Sequence, residues 1–207
     1  MRLSHGSSAL SATFDEPNLV SVAGLAPVVA LAQSCRLGDL VADKLTLKAT
    51  GGVNAAIKVP GLVAGMVAGA DSIEDMDLLR HGGMDRLFAG VRAPSTLGTF
   101  LRSFTFGHVR QLDSVAAAFL TALAAAAPLL PGAEQVTHLD LDDTMRETHG
   151  YAKQGVGYGY TKVNGLNALL ATVSTPTAAP VIAAARLRKG AVNSARGAGK
   201  LLAEALT

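Results

Sequence analysis

Apolar residues recur at helical spacing through the first two thirds of the chain and alternate with polar ones further on. Leu97, Phe100, Leu101 and Phe104 follow an i, i+3, i+4, i+7 pattern, and Val115, Phe119, Leu123 and Leu130 form a second stripe. Such spacing predicts two helices, each burying one face against a core. A third helix is expected to begin at Asp71 or Ser72, where a side-chain oxygen can cap free amides. Glu74, Asp75 and Asp77 then sit against the positive end of its dipole, and His81-Gly82-Gly83 ends it. A short helix over 84–88 follows, and Pro94-Ser95 starts the helix that carries Leu97.

After Gly132 the period changes to two. In His138-Leu139-Asp140-Leu141-Asp142 the leucines take one side and the carboxylates the other, which reads as a strand ending in acids. Residues 167–174 and 180–187, rich in Val, Ile, Ala and Thr, predict two more strands joined as a hairpin at Thr175-Pro176. A last helix is expected over 194–206. The fold class is therefore α+β, with a helical region over 1–133 and a second region over 134–207.

Composition narrows the class. The 207 residues are 49% hydrophobic and 16% charged, which excludes a disordered chain and a charged coiled coil. Aromatics make up 4% with no Trp, so the core must be built from Ala, Val and Leu. A net charge of +2 argues for no partner by itself, and the single cysteine, Cys35, excludes an internal disulfide or a multi-cysteine zinc site. Mean hydropathy is +0.33, and the stretches 17–35, 114–133 and 166–185 lack charge. Proline interrupts the first and third, and alanine, nearly neutral for insertion, dominates the second, so no membrane span is expected. The N-terminus, with Arg2 and His5 followed by Asp15 and Glu16, makes a poor signal peptide. A cytoplasmic protein is the expectation.

The sharpest chemical feature is Asp140-Leu141-Asp142-Asp143-Thr144. Acids at the end of a strand repel one another, so they either emerge into solvent or manage a cation or a phosphoryl transfer. Asp-x-Asp-x-Thr resembles the first motif of haloacid-dehalogenase-type phosphatases, which would make Asp140 the nucleophile and Asp142 the acid and base. Only Glu147 and Glu204 follow Asp143 as further carboxylates, too few for that family's magnesium site.

A longer resemblance covers residues 20–207. Leu139 to Thr144, His149-Gly150, and Leu187-Arg188-Lys189-Gly190 through Asn193-Ser194-Ala195-Arg196-Gly197 are similar to a group of bacterial insertion-sequence transposases. Gly69 to Asp75, Leu78-Leu79-Arg80 and Ser95 to Leu101 resemble that group's helical N-terminal part. The resemblance implies a DDE enzyme with an RNase H-like core, in which the first strand, a meander of two more and a helix precede the strand with the second Asp. It implies that Asp142, two residues before Thr144, is the first catalytic carboxylate and a ligand of Mg2+. It implies transposon-end DNA as partner, bound by a homodimer. No residue of this chain matches the second Asp or the final Glu, so the chain is expected to be an inactive N-terminal fragment holding the start of an incomplete RNase H-like fold. A DNA-binding remnant without chemistry is the non-enzymatic alternative.

Basic residues mark the expected DNA surface: Arg186, Arg188, Lys189 and Arg196 near the end of the chain, and Arg92 and Arg102 beside the Leu97 helix. A solvated helix face would use the same residues. Gly155-Val156-Gly157-Tyr158-Gly159-Tyr160, with Lys153 and Lys162, reads as a hairpin loop or a phosphate cradle. His81, His108, His138 and His149 have no ligand spacing, and Cys35 reads as a small buried residue.

Overall fold

A computed structural model describes residues 15–47, 53–149 and 153–206. Residues 1–14, read above against a signal peptide, and Gly150 of the transposase-like motif lie outside the described residues. Helices α1 (Leu25–Ser34), α2 (Leu37–Lys44), α3 (Ala55–Val67), α4 (Pro94–Arg102) and α5 (Phe106–Ala126) precede the sheet. Strands β1 (His138–Glu147), β2 (Gly157–Tyr158), β3 (Asn164–Thr175) and β4 (Ala178–Arg188) form it, and α6 (Ala198–Ala205) follows. The class is α+β, as the change of period implies.

Two apolar clusters hold the helices. Leu25, Ala64, Met76, Leu79, Met84 and Leu97 make one, and Leu37, Val41, Leu45, Leu47, Phe100 and Val115 make the other. Helix α4 joins them, since Leu97 and Phe100, one turn apart, enter different clusters. Phe104 packs edge-on against Phe100 at 5.0 Å, and the Lys58 ammonium lies 5.1 Å from the Phe100 ring centre.

The helix expected from Asp71 or Ser72 is instead a 3-10 turn over Glu74–Leu79. Ser72 and Asp75 cap it reciprocally: the Ser72 amide donates to the Asp75 carboxylate at 3.0 Å, and the Asp75 amide donates to Ser72 Oγ at 3.3 Å. The Ser72 hydroxyl and amide, with Asp71, draw the Asp75 pKa below its ordinary value. The segment holds six residues, and burying Met76 and Leu79 three apart fits a three-residue period. The short helix expected over 84–88 is likewise a 3-10 turn, Gly82–Arg86. Leu130 lies beyond α5, which stops at Ala126 because Ala127, preceding Pro128, is extended.

Strand β3 lies at the centre of the sheet. It pairs antiparallel with β1 along one edge and with β2 and β4 along the other. The hairpin expected at Thr175-Pro176 is present, with Thr175 facing Ala178 across Pro176 and Thr177. Thr175 and Thr177 hydroxyls both donate to the Pro131 carbonyl, which ties the turn to the segment leaving the helical region. Alternate residues of β3 are buried, and α6 covers that face through Leu201 on Leu169 and Ala171. The opposite face is the one that α6 leaves open.

At the far end of the sheet three backbones meet. A Cβ on Gly190 would lie 2.1 Å from the Gly165 carbonyl oxygen and 2.3 Å from that of Gly157, so only glycine fits. The Gly190 amide donates to Gly155 at 3.0 Å and fixes the β2 loop against the end of β4.

By length and composition α5, Phe106–Ala126, would suffice to cross a membrane; it lies mostly exposed. The uncharged stretch 166–185 forms most of β3 and β4, and 17–35 contains α1.

Candidate functional site

Strand β1 builds the site. Its alternation is as expected: Asp140 and Asp142 are exposed, while Leu139 and Leu141 turn inward. The strand does not end at the acids, however. It continues to Glu147, because the ladder to β3 runs unbroken from His138–Ser174 to Glu147–Gly165. Asp142 therefore stands mid-strand on the open face, where its carboxylate accepts the Asp143 amide at 2.8 Å.

The third acid has a different fate. Asp143 follows the phase of Leu139 and Leu141 and enters the covered side of the sheet, where it meets Asn167 of β3 and Arg188 of β4. Arg188 Nη2 lies 3.2 Å from Asp143 Oδ2, and its Nε donates to Asn167 Oδ1 at 2.8 Å. Asn167 Nδ2 donates in turn to Asp143. The other fork of Arg188, Nη1, donates to the carbonyls of Arg196 at 2.5 Å, Ser194 at 3.1 Å and Asn193 at 3.4 Å. Burial lowers the Arg188 pKa and the Asp143 charge opposes that shift. These contacts explain why α6 starts at Ala198 and not near 194. The carbonyls of Asn193, Ser194 and Arg196 turn to the guanidinium, and Gly197, at φ 85°, redirects the chain.

Sequence reasoning missed Asp143 and Asn167. The parity of Leu139 and Leu141 carried a signal for the first, since extending it by two places Asp143 inside. Nothing local pointed to Asn167.

The residues expected to contact DNA fall into three places. Arg92, half-buried, leaves its Nε without a hydrogen-bond partner, and Arg102 is exposed beside Thr99. Arg188 is committed to the network above, with 7% of its side chain exposed. Arg186 pairs with Glu204 of α6, and Glu204 lies 3.6 Å from Arg110 of α5. Only Arg102, Lys189 and Arg196 of the six are exposed.

Arg110 also pairs with Asp113 at 2.5 Å. Desolvation raises the Asp113 pKa, with Glu204 adding to it and Arg110 and Arg186 opposing it. An acid with a raised folded-state pKa binds protons on folding, so its contribution to stability falls as pH rises through that window, starting from about 3.8. Asp113→Asn, which mimics the protonated form, should compare more favourably with the parent at pH 7 than at pH 4 in urea unfolding. A constant difference between the two pH values would refute this.

Among the described residues no group of three or more His, Cys, Asp or Glu could hold a metal ion. Asp142 and Asp140 stand about 7 Å apart along the strand, too far to share one ion with ease. Asp140 and Asp142 by themselves therefore do not close around one ion. The glycine-rich segment is a hairpin: Gly157 and Tyr158 pair with Gly165 and Asn164. His108 has a structural role, accepting the Thr105 amide at 3.1 Å to cap α5, and Cys35 is buried. No protein family, characterised protein or solved structure matches the chain.

Proposed function

We propose that the chain is part of an insertion-sequence DNA transposase, with Asp142 as the first carboxylate of a DDE site on an incomplete RNase H-like sheet. One arrangement supports the reading. An acid-bearing strand opens an antiparallel meander, β1-β3-β4, and the helix that follows, α6, packs on the face away from Asp142. The outer edge of β1 pairs with no strand among the described residues, which leaves room beside Asp142 for a strand bearing a second acid. Two metal ions between three carboxylates would activate water or a DNA 3′-hydroxyl for in-line attack. Asp142 supplies one of the three, and the other two come from outside residues 1–207. The partner is transposon-end DNA, bound by a dimer in the cytoplasm.

The DNA that encodes the chain tests the reading. Past the codon for Thr207, in the same or a shifted frame, it should encode an Asp-bearing strand and a Glu-bearing segment, between inverted terminal repeats. Absence of both carboxylate segments in every frame would overturn it.

A further inference from the structure

Directly opposed residues of an antiparallel pair share a sheet face, and the register extends the open face well beyond Asp142. Asp142 faces Leu170, Arg146 faces Leu166, and Tyr158 faces Asn164, all on the side that α6 leaves uncovered. Lys189 joins them. A Cβ on Gly155 would lie 3.4 Å from Leu166 Cδ2 and 3.7 Å from Lys189 Cγ, so those two side chains flank the same loop.

The hairpin at this end presents two of the chain's three tyrosines to solvent. Tyr158 is 70% exposed, and Tyr160 is fully exposed. They stand two residues apart, Tyr158 in β2 and Tyr160 in the turn that follows it. The tip is a closed turn: the Lys162 amide donates to Gly159 at 3.0 Å and the Gly159 amide to Val163 at 3.2 Å. Lys162 holds a left-handed φ of 60° there, and the glycine contact at 190 fixes the hairpin to the sheet. Two large rings are thus held in water on a braced support. Arg146, Lys162 and Lys189 around them are exposed, and none forms an ion pair with a described residue. Glu147, the acid next in sequence, takes the opposite side by parity, facing Gly165.

Exposed aromatic rings between unpaired cations suit one chemistry above others, a chain of flat bases linked by phosphates. A duplex hides the base faces, whereas an unpaired strand offers them. We propose that this end of the sheet binds unpaired DNA. Bases stack on Tyr158 and Tyr160, and Arg146, Lys162 and Lys189 hold the phosphates. Arg146 lies four residues from Asp142 along β1, about 13 Å, so a strand held here runs along the open face to the acid. That last step rests on the transposase reading; the binding itself does not.

The test is fluorescence anisotropy of the 207-residue chain with a dye-labelled oligothymidylate and a duplex of equal length. The single strand should bind more tightly. Changing Tyr158→Ala and Tyr160→Ala together should weaken it at least about fivefold and leave the duplex within about twofold. Changing both to Phe should restore binding, since the rings remain, and Lys162→Ala should lower the salt slope by about one. Circular dichroism should show all variants folded, as both rings are free of the core. The proposal is overturned if the alanine pair binds the oligonucleotide as tightly as the parent. It is equally overturned if phosphatidylserine vesicles capture the chain more tightly than the oligonucleotide in a tyrosine-dependent way, which would make the patch a membrane contact. Tyrosine-dependent binding can stand if the encoding DNA fails its own test, and can fail if that test succeeds.

Discussion

On the transposase reading, Asp142→Asn, made in the protein extended by its downstream coding sequence, should lower transposition by about a thousandfold or more, because it would remove a charge needed to hold the reacting metal. The substitution spares the fold. Asp142 is exposed, its carboxylate accepts the Asp143 amide, and an asparagine carbonyl can accept the same amide. Asp140→Asn should cost less than about tenfold, since that carboxylate stands about 7 Å back along the strand and reaches no first-shell position with ease. The phosphatase alternative reverses this ranking, for Asp140 would be the nucleophile and its amide could form no phospho-enzyme. Transposition frequency and hydrolysis of a small aryl phosphate, measured on both variants, separate the two. Full transposition by Asp142→Asn, or a dead Asp140→Asn beside a live Asp142→Asn, would remove this strand from a DDE site.

The part of the fold that was legible in the sequence is the part governed by local period. Leu139 and Leu141 against Asp140 and Asp142 gave the faces of β1, and the β3–β4 hairpin follows from two β-rich runs around Thr175-Pro176. Helices α1 to α3 did not declare themselves in this way. In α1 and α3 apolar residues sit on nearly every side, α2 has only eight residues, and α3 contains Pro60, Gly61 and Gly65, residue types that disfavour a helix interior. Packing accounts for Gly65. A Cβ there would lie 2.3 Å from Met76 Sδ, so the missing side chain is what lets the 3-10 turn seat its methionine on the helix. No local pattern can report such a contact. The candidate site shows the same limit: Asp142 was visible because it stands in a motif and points out, whereas Asp143 depends on Asn167 and Arg188, 24 and 45 residues away.

That network carries the largest expected effect on stability. Arg188→Met should destabilise the chain by about 3–5 kcal/mol, because it strands a partly buried carboxylate and withdraws donors from Asn167 and three backbone carbonyls at once. Asp143 keeps 23% of its side chain exposed, and water there places the loss toward the lower end of that range. Arg188→Lys should recover less than half. A single ammonium cannot face Asp143 and Asn167 on one side and the carbonyls of Asn193, Ser194 and Arg196 on the other, as the planar fork does. Adding Asp143→Asn to Arg188→Met removes the stranded charge and should return part of the lost stability, so the two changes should be less than additive. Urea unfolding of the four proteins measures this. A loss below about 1 kcal/mol for Arg188→Met, or strict additivity in the double variant, would mean that packing of Leu201 on Leu169 and Ala171, and not the guanidinium, holds α6 on the sheet.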